Sequence, residues 1–201
     1  GAFDLTVMAG DLAMLGPRPA ETIDRLRALN CLIITGNTEQ MVVRRDGPSA
    51  AWTAEQIGAE RLAVLAGLPF SYSVEPQVGH ELLIVHANPK DLEAPLRPDS
   101  PAEDVRPLVE DVTADVLAFG HIHIPYIRNL NGLMLFDVAS AGLPRDGDQR
   151  AAYGIAEWTG REWRLEHHRV AYDIDAVVQD ILNCGMPNAD KAAAILQSAR
   201  Y

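Results

Sequence analysis

Cysteine is nearly absent. Cys31 and Cys184 are the only two in 201 residues, one inside an apolar run and the other near a helix end. Two isolated thiols argue against a disulfide scaffold and suit a reducing, cytoplasmic setting. Long apolar runs are also missing. No stretch approaches the roughly 18 residues that cross a bilayer, and no basic-then-apolar segment marks a secretion signal. Positive charge is in deficit, with 17 Lys and Arg against 28 Asp and Glu and a formal net charge of -11. That balance argues against nucleic acid or an anionic membrane as partner. A phosphate substrate would need positive charge concentrated locally, and a metal ion is one way to supply it. Acidity also simply keeps proteins soluble, so charge alone selects no function. An initiator Met is missing too, since the chain opens Gly1-Ala2-Phe3-Asp4, and an upstream segment is therefore expected.

What is present is ordinary globular material. Hydrophobic residues make up 48% and charged residues 22%, enough for one domain with a sizeable core. No internal repeat or linker divides the chain. Four short apolar runs each end in a polar residue of metal-ligand type: Leu5 to Asp11, Cys31 to Asn37, Leu82 to His86, and Val116 to His121. Continuous runs rich in Val and Ile read as strands buried on both faces. Gly10, Gly36 and Gly120 let the backbone turn sharply where three of them end.

Helical patterns lie between the runs, over Pro19 to Leu29, Thr53 to Leu65 with Thr53 as N-cap, and Pro101 to Val112. Alternating strand and helix predicts an α/β domain with a partly parallel sheet. Further on, Leu133 to Val138, Ala152 to Trp158 and Trp163 to Ala171 read as strands of a second, antiparallel region. Two helices close the chain, Ile174 to Cys184 and Asn188 to Ala199, split by Gly185-Met186-Pro187.

Open α/β sheets bind ligands beyond the carboxyl ends of their strands, where Asp11, Asn37, His86 and His121 are expected. Singly, each has a plain explanation as a turn or an exposed side chain. Together they deliver ligand-type groups from four strands to one rim. His121-Ile122-His123 is the most specific piece: on an extended segment, residues i and i+2 point the same way, so both imidazoles would face one locus. Imidazoles with a carboxylate and an amide oxygen suit Mn, Fe, Zn, Co or Ni. The lack of cysteine ligands argues against a structural zinc site.

Val7 to Pro19, Gly36-Asn37-Thr38-Glu39, Ile84 to Ala87 and Gly120 to Pro125 resemble the ordered motifs of the calcineurin-like metallophosphoesterases. Ser140 to Asp146 and the tail from Trp163 onward are similar to the small bacterial branch of that superfamily. The resemblance implies a four-layer αββα sandwich of two mixed β-sheets and a centre of two divalent ions, Mn preferred. In it Asp11 bridges both ions, Asn37, His86 and His121 complete one site, and His123 joins the other. It further implies in-line attack on a small phosphodiester or phosphomonoester by a hydroxide bridging the metals, with Asp11, Asn37 and His86 at the centre of the chemistry. Metal pairs of this kind stabilise both the attacking and the leaving oxygen.

Two departures stand out. The sequence opens close to what should be the family's second strand, so the Asp-x-His motif of the opening strand is expected in the upstream segment; without it, the site that His123 joins keeps only Asp11 and His123. Thr38 stands where many relatives place a proton-donating His, and a hydroxyl is no efficient acid near neutral pH. Glu39 is the neighbouring carboxyl. Both departures feed an alternative reading, a metal-poor protein-interaction scaffold on the same fold, like the retromer subunit. A third reading, a nuclease or nucleotide-polyphosphate hydrolase, keeps the fold and differs only in substrate. Arg145 and Arg150 read as solvated loop charges, His80 as a surface residue, and His167-His168 as opposite faces of one strand. Trp52, Trp158 and Trp163 read as packing, because no basic stripe accompanies them.

Overall fold

All four apolar runs pair in parallel, the first with the second and the third with the fourth, as runs of Val, Ile and Leu separated by long crossovers should. They lie in a computed structural model in which residues 3–200 are described. The contacts divide the chain into two units, Gly1–Phe70 with Asp173–Ser198, and Ser71–Tyr172 with Ala199–Tyr201. The architecture is mixed α/β.

The first unit holds strands β1 (Val7–Met8) and β2 (Leu32–Ile33), which pair in parallel with Val7 opposite Leu32 and Met8 opposite Ile33. Both are only half-buried, against the expectation of burial on both faces, and each is two residues long. Helices α1 (Pro19–Ala28), α2 (Asn37–Arg44) and α3 (Pro48–Ala66) supply the core around Ile23, Val42, Ala54, Ile57 and Leu65. Ile57 has no exposure, so Ile57→Ala should cost about 2–5 kcal/mol. Helix α3 begins well before Thr53: Pro48 pre-sets φ for a first turn, and Thr53 is a buried interior residue whose hydroxyl donates to the Ser49 carbonyl. Gly58, at φ 73°, breaks α3 into two segments. Helices α4 (Ala102–Val109), of the second unit, and α5 (Ile174–Asn183) and α6 (Ala189–Ser198), of the first, fall within the predicted ranges. Asp173 caps α5 by accepting the Ala176 N–H.

The second unit is built on a five-stranded sheet of β3 (Ser71–Val74), β4 (Leu82–Val85), β5 (Val116–Phe119), β6 (Tyr126–Leu130) and β7 (Leu133–Asp137). Its order is β3-β4-β5-β7-β6. The inner three strands are parallel, and antiparallel β3 and β6 form the edges. All four residues of β5 are buried, as a continuous apolar run at a sheet centre requires. Strands β6 and β7 form a hairpin through Asn131-Gly132, both at positive φ, a turn whose twist matches that of the flanking strands.

The predicted antiparallel region is a separate two-stranded hairpin, β8 (Ala151–Trp158) and β9 (Trp163–Val170), whereas β7 joins the main sheet. The Phe136 ring lies where a Cβ on Gly154 would come within 2.4 Å, so glycine is required there for close packing. Among the described residues, no helix is long and apolar enough to cross a membrane.

Candidate metal centre

Asp11 follows β1 in a left-handed turn, with Gly10 at φ 84° and Asp11 itself at φ 59°. Such a conformation costs a non-glycine residue free energy and must be held by its surroundings. Glu39 holds it. Its buried carboxylate accepts the N–H groups of Asp11 (2.7 Å) and Gly36 (2.8 Å) on one oxygen and of Leu12 (2.8 Å) on the other. Burial raises the Glu39 pKa, the neighbouring Asp11 charge adds to that, and the three backbone donors oppose it. Glu39 therefore faces the backbone rather than a substrate.

Thr38 is engaged in the same cluster. Its hydroxyl donates to Asp11 Oδ1 at 2.8 Å and its backbone N–H does so at 3.2 Å. The Thr38 hydroxyl thus orients Asp11. Asn37 is the first residue of α2, with Gly36 as N-cap. Gly36 is extended, at φ −111°, so it is not needed for a sharp turn. It is needed for space: a Cβ there would lie 2.6 Å from Asp11 Oδ1 and 2.7 Å from the Asp11 backbone nitrogen.

The second unit, taken by itself, brings two imidazoles together. His86 is one residue beyond β4 and almost wholly buried; His121 is two residues beyond β5. A bond from the Gly120 N–H to the His86 carbonyl, 2.9 Å, ties the two strand ends together. His86 Nε2 and His121 Nδ1 then face one another at 3.1 Å, with their rings nearly perpendicular. The other nitrogen of His121, Nε2, donates to the Glu93 carbonyl at 3.0 Å, and His123 Nδ1 donates to the Leu143 carbonyl at 2.7 Å. A carbonyl can only accept, so each contact leaves the opposite ring nitrogen as the one able to bind a cation.

The extended geometry expected for His121-Ile122-His123 does not hold. His121 and His123 sit at φ 68° and 61°, outside any strand, because the chain turns as soon as β5 ends. Ile122 is buried, but the two imidazoles are set by separate carbonyl contacts rather than by i, i+2 alternation.

Other flagged residues fall elsewhere. His80 is half-buried, bonded to Asp115 at 2.7 Å and packed on Trp158. Residues 167 and 168 take opposite faces as predicted: His167 lies against Phe136, and His168 stacks on Tyr153. Trp158 and Trp163 pack on each other at the end of their hairpin. The Arg150 side chain is paired with Asp148, while the Arg145 backbone N–H is bonded to the His123 carbonyl at 3.1 Å. Sequence reasoning did not anticipate Asn88 and Asp91. Asn88 is buried and bonded on both ends of its amide, a role in which no local spacing marks it. Burial raises the Asp91 pKa, but donors from Ala94, Glu93 and Asn88 outweigh it and leave that carboxyl below its ordinary range.

Imidazole nitrogens with a fixed tautomer, as in the second unit, suit divalent cations of borderline hardness, and so does a carboxylate held in a strained turn, as in the first. Residues 1–161 match the calcineurin-like phosphoesterase superfamily domain, and the chain belongs to that family. It is 29% identical over 207 residues to the uncharacterized protein MJ0912 of Methanocaldococcus jannaschii, covering 89% of this chain and 80% of that one. Its fold resembles the crystal structure of a metallophosphoesterase from Sphaerobacter thermophilus, with TM-score 0.81, 23% identity, and coverage of 99% and 90%. It also resembles a hypothetical protein, PH1004, from Pyrococcus horikoshii, with TM-score 0.83, 18% identity, and coverage of 97% and 85%. Membership of the family supports phosphoesterase activity and implies divalent metal ions.

Proposed function

We propose that this protein is a dinuclear metal-dependent phosphoesterase, with Asp11, Asn37, His86, His121 and His123 as ligands to two divalent ions, Mn²⁺ by preference. The observation that carries this reading is the His86–His121 pair: two ring nitrogens meet at 3.1 Å, and the far nitrogen of His121 is already engaged by a carbonyl. Metal-binding histidines are characteristically anchored in that way, because the anchor fixes the tautomer that leaves a lone pair for the ion. When bound, the ions supply an acidified water and the neutralising charge that in-line displacement at phosphorus requires. The chain's own residues prepare for this. Glu39 and Thr38 hold Asp11, and Glu93 and Leu143 hold the imidazoles.

Within this reading a small phosphodiester or an activated monoester is the favoured substrate. The Thr38 hydroxyl is committed to Asp11, and no acid stands at that position to protonate a poor leaving group. The test is hydrolysis of bis-p-nitrophenyl phosphate and p-nitrophenyl phosphate with Mn²⁺ by wild type, His86→Ala and His123→Ala. The reading predicts that His86→Ala loses at least about 100-fold in rate, as expected when a metal ligand is removed. Equal hydrolysis by all three proteins would discard it.

A further inference from the structure

Asn88 lies two residues past His86 and has no solvent exposure. Its amide uses its full bonding capacity. Oδ1 accepts the N–H groups of Lys90 (2.7 Å) and Asp91 (3.0 Å), and Nδ2 donates to the Ala94 carbonyl (2.9 Å) and to Asp91 Oδ1 (3.1 Å). Asp91 Oδ1 accepts in addition the N–H groups of Glu93 (2.7 Å) and Ala94 (2.7 Å). Residues 88 to 94 are thereby tied into one closed turn, and the Glu93 carbonyl of that turn meets His121 Nε2 at 3.0 Å.

The consequence is chemical. Because the carbonyl is only an acceptor, His121 Nε2 must carry the ring proton, and the lone pair of the neutral ring is confined to Nδ1. Nδ1 is the atom facing His86 Nε2. With the proton moved to Nδ1, the Nε2 lone pair would point at the carbonyl oxygen and the contact would become repulsive. We propose that the Asn88–Asp91 turn is a positioning device for the metal centre, which holds the Glu93 carbonyl against His121 and so commits Nδ1 to a divalent cation. The inference rests on the reading of His121 as a ligand. Asn88, Asp91 and Glu93 do not touch the ion; they act through His121.

Asp91→Ala removes the acceptor for two backbone N–H groups and the Asn88 amide, while Asp91→Asn keeps an acceptor oxygen in place. Two readouts are taken on the folded, metal-free proteins. Long-range nitrogen–proton correlation spectra report which nitrogen of the His121 ring is protonated, and calorimetric titration with Mn²⁺ reports affinity. Wild type and Asp91→Asn should show the Nε2–H form alone and bind Mn²⁺ with similar affinity. Asp91→Ala should show a mixture of tautomers and bind Mn²⁺ about 10-fold or more weakly, the usual scale for loss of a group supporting a metal ligand. A wild-type ring protonated at Nδ1 overturns the proposal, and that measurement decides even if Asp91→Ala does not fold. Unchanged tautomer and affinity in a folded Asp91→Ala overturns it as well. If wild type shows the Nε2–H form yet binds no Mn²⁺, the metal reading itself is what fails, and the positioning role goes with it.

Discussion

The two units prepare their candidate ligands by opposite means. In the first, the ligand is anionic, and donors surround it: Asp11 Oδ1 receives two bonds from Thr38, and the turn beneath is clamped on the buried Glu39 carboxylate. In the second, the candidate ligands are imidazole rings, and acceptors surround them: backbone carbonyls of Glu93 and Leu143 hold His121 and His123. The first arrangement concentrates buried negative charge in one place, which is costly without a cation. The second presents only carbonyl oxygens to its rings, and the carboxylate that supports it, Asp91, is half-buried where Glu39 is buried. Mutations that remove a support should therefore cost more stability in the first unit than in the second.

The largest effect is expected for Glu39→Ala, which strands the N–H groups of Asp11, Leu12 and Gly36. Losing a buried, hydrogen-bonded charge should cost about 3–5 kcal/mol in urea denaturation, against about 1–3 kcal/mol for Asn88→Ala in the second unit. Equal losses would break the contrast. Gly36→Ala comes next, at about 1–3 kcal/mol, because its Cβ would lie 2.7 Å from the Asp11 backbone nitrogen, which cannot swing aside.

Asp137 sharpens the comparison from inside the second unit, as a buried carboxyl lacking the donors that Glu39 enjoys. Among the described residues, the Ala139 N–H alone reaches Oδ1, and Oδ2 has no hydrogen-bond partner. Burial pushes its pKa well above the ordinary value, and the Ala139 bond only partly opposes this. The folded protein thus keeps a proton that the unfolded chain releases once pH exceeds the usual carboxylate range. Stability from this group is full below that range and falls as pH rises toward the folded pKa, by up to about 1.4 kcal/mol per pH unit. Asp137→Asn should remove that slope and stabilise the protein at neutral pH in thermal melts at several pH values. The smallest effect is expected for Thr38→Val, about 1 kcal/mol, since one hydroxyl bond to Asp11 is lost while the backbone bond stays.

Much of this was legible in the amino-acid sequence, and the misses have physical causes. The buried runs of β4 and β5 could be read because strands at the centre of a parallel sheet are apolar throughout. Strand β3, Ser-Tyr-Ser-Val at an exposed edge, carries no such run. Strand β6 was missed although Asn131-Gly132 is a strong hairpin signal. The candidate ligands could be picked out because each closes an apolar run. Their supports could not: Glu39, Asn88 and Asp91 act on backbone N–H groups, whose partners depend on how loops close in space. The left-handed turns at His121 and His123 were hidden by the assumption that the strand continues.

The central claim is that these side chains hold divalent ions and that the ions are needed for hydrolysis. It is tested most directly by elemental analysis of Mn²⁺-loaded wild type and His86→Ala after removal of free metal, with bis-p-nitrophenyl phosphate hydrolysis measured on the same samples. The account predicts about two bound equivalents with turnover in wild type, and loss of both in the variant. Metal-free wild type after loading, or a variant that keeps its metal and its turnover, would contradict it; the former would favour a scaffold on this fold.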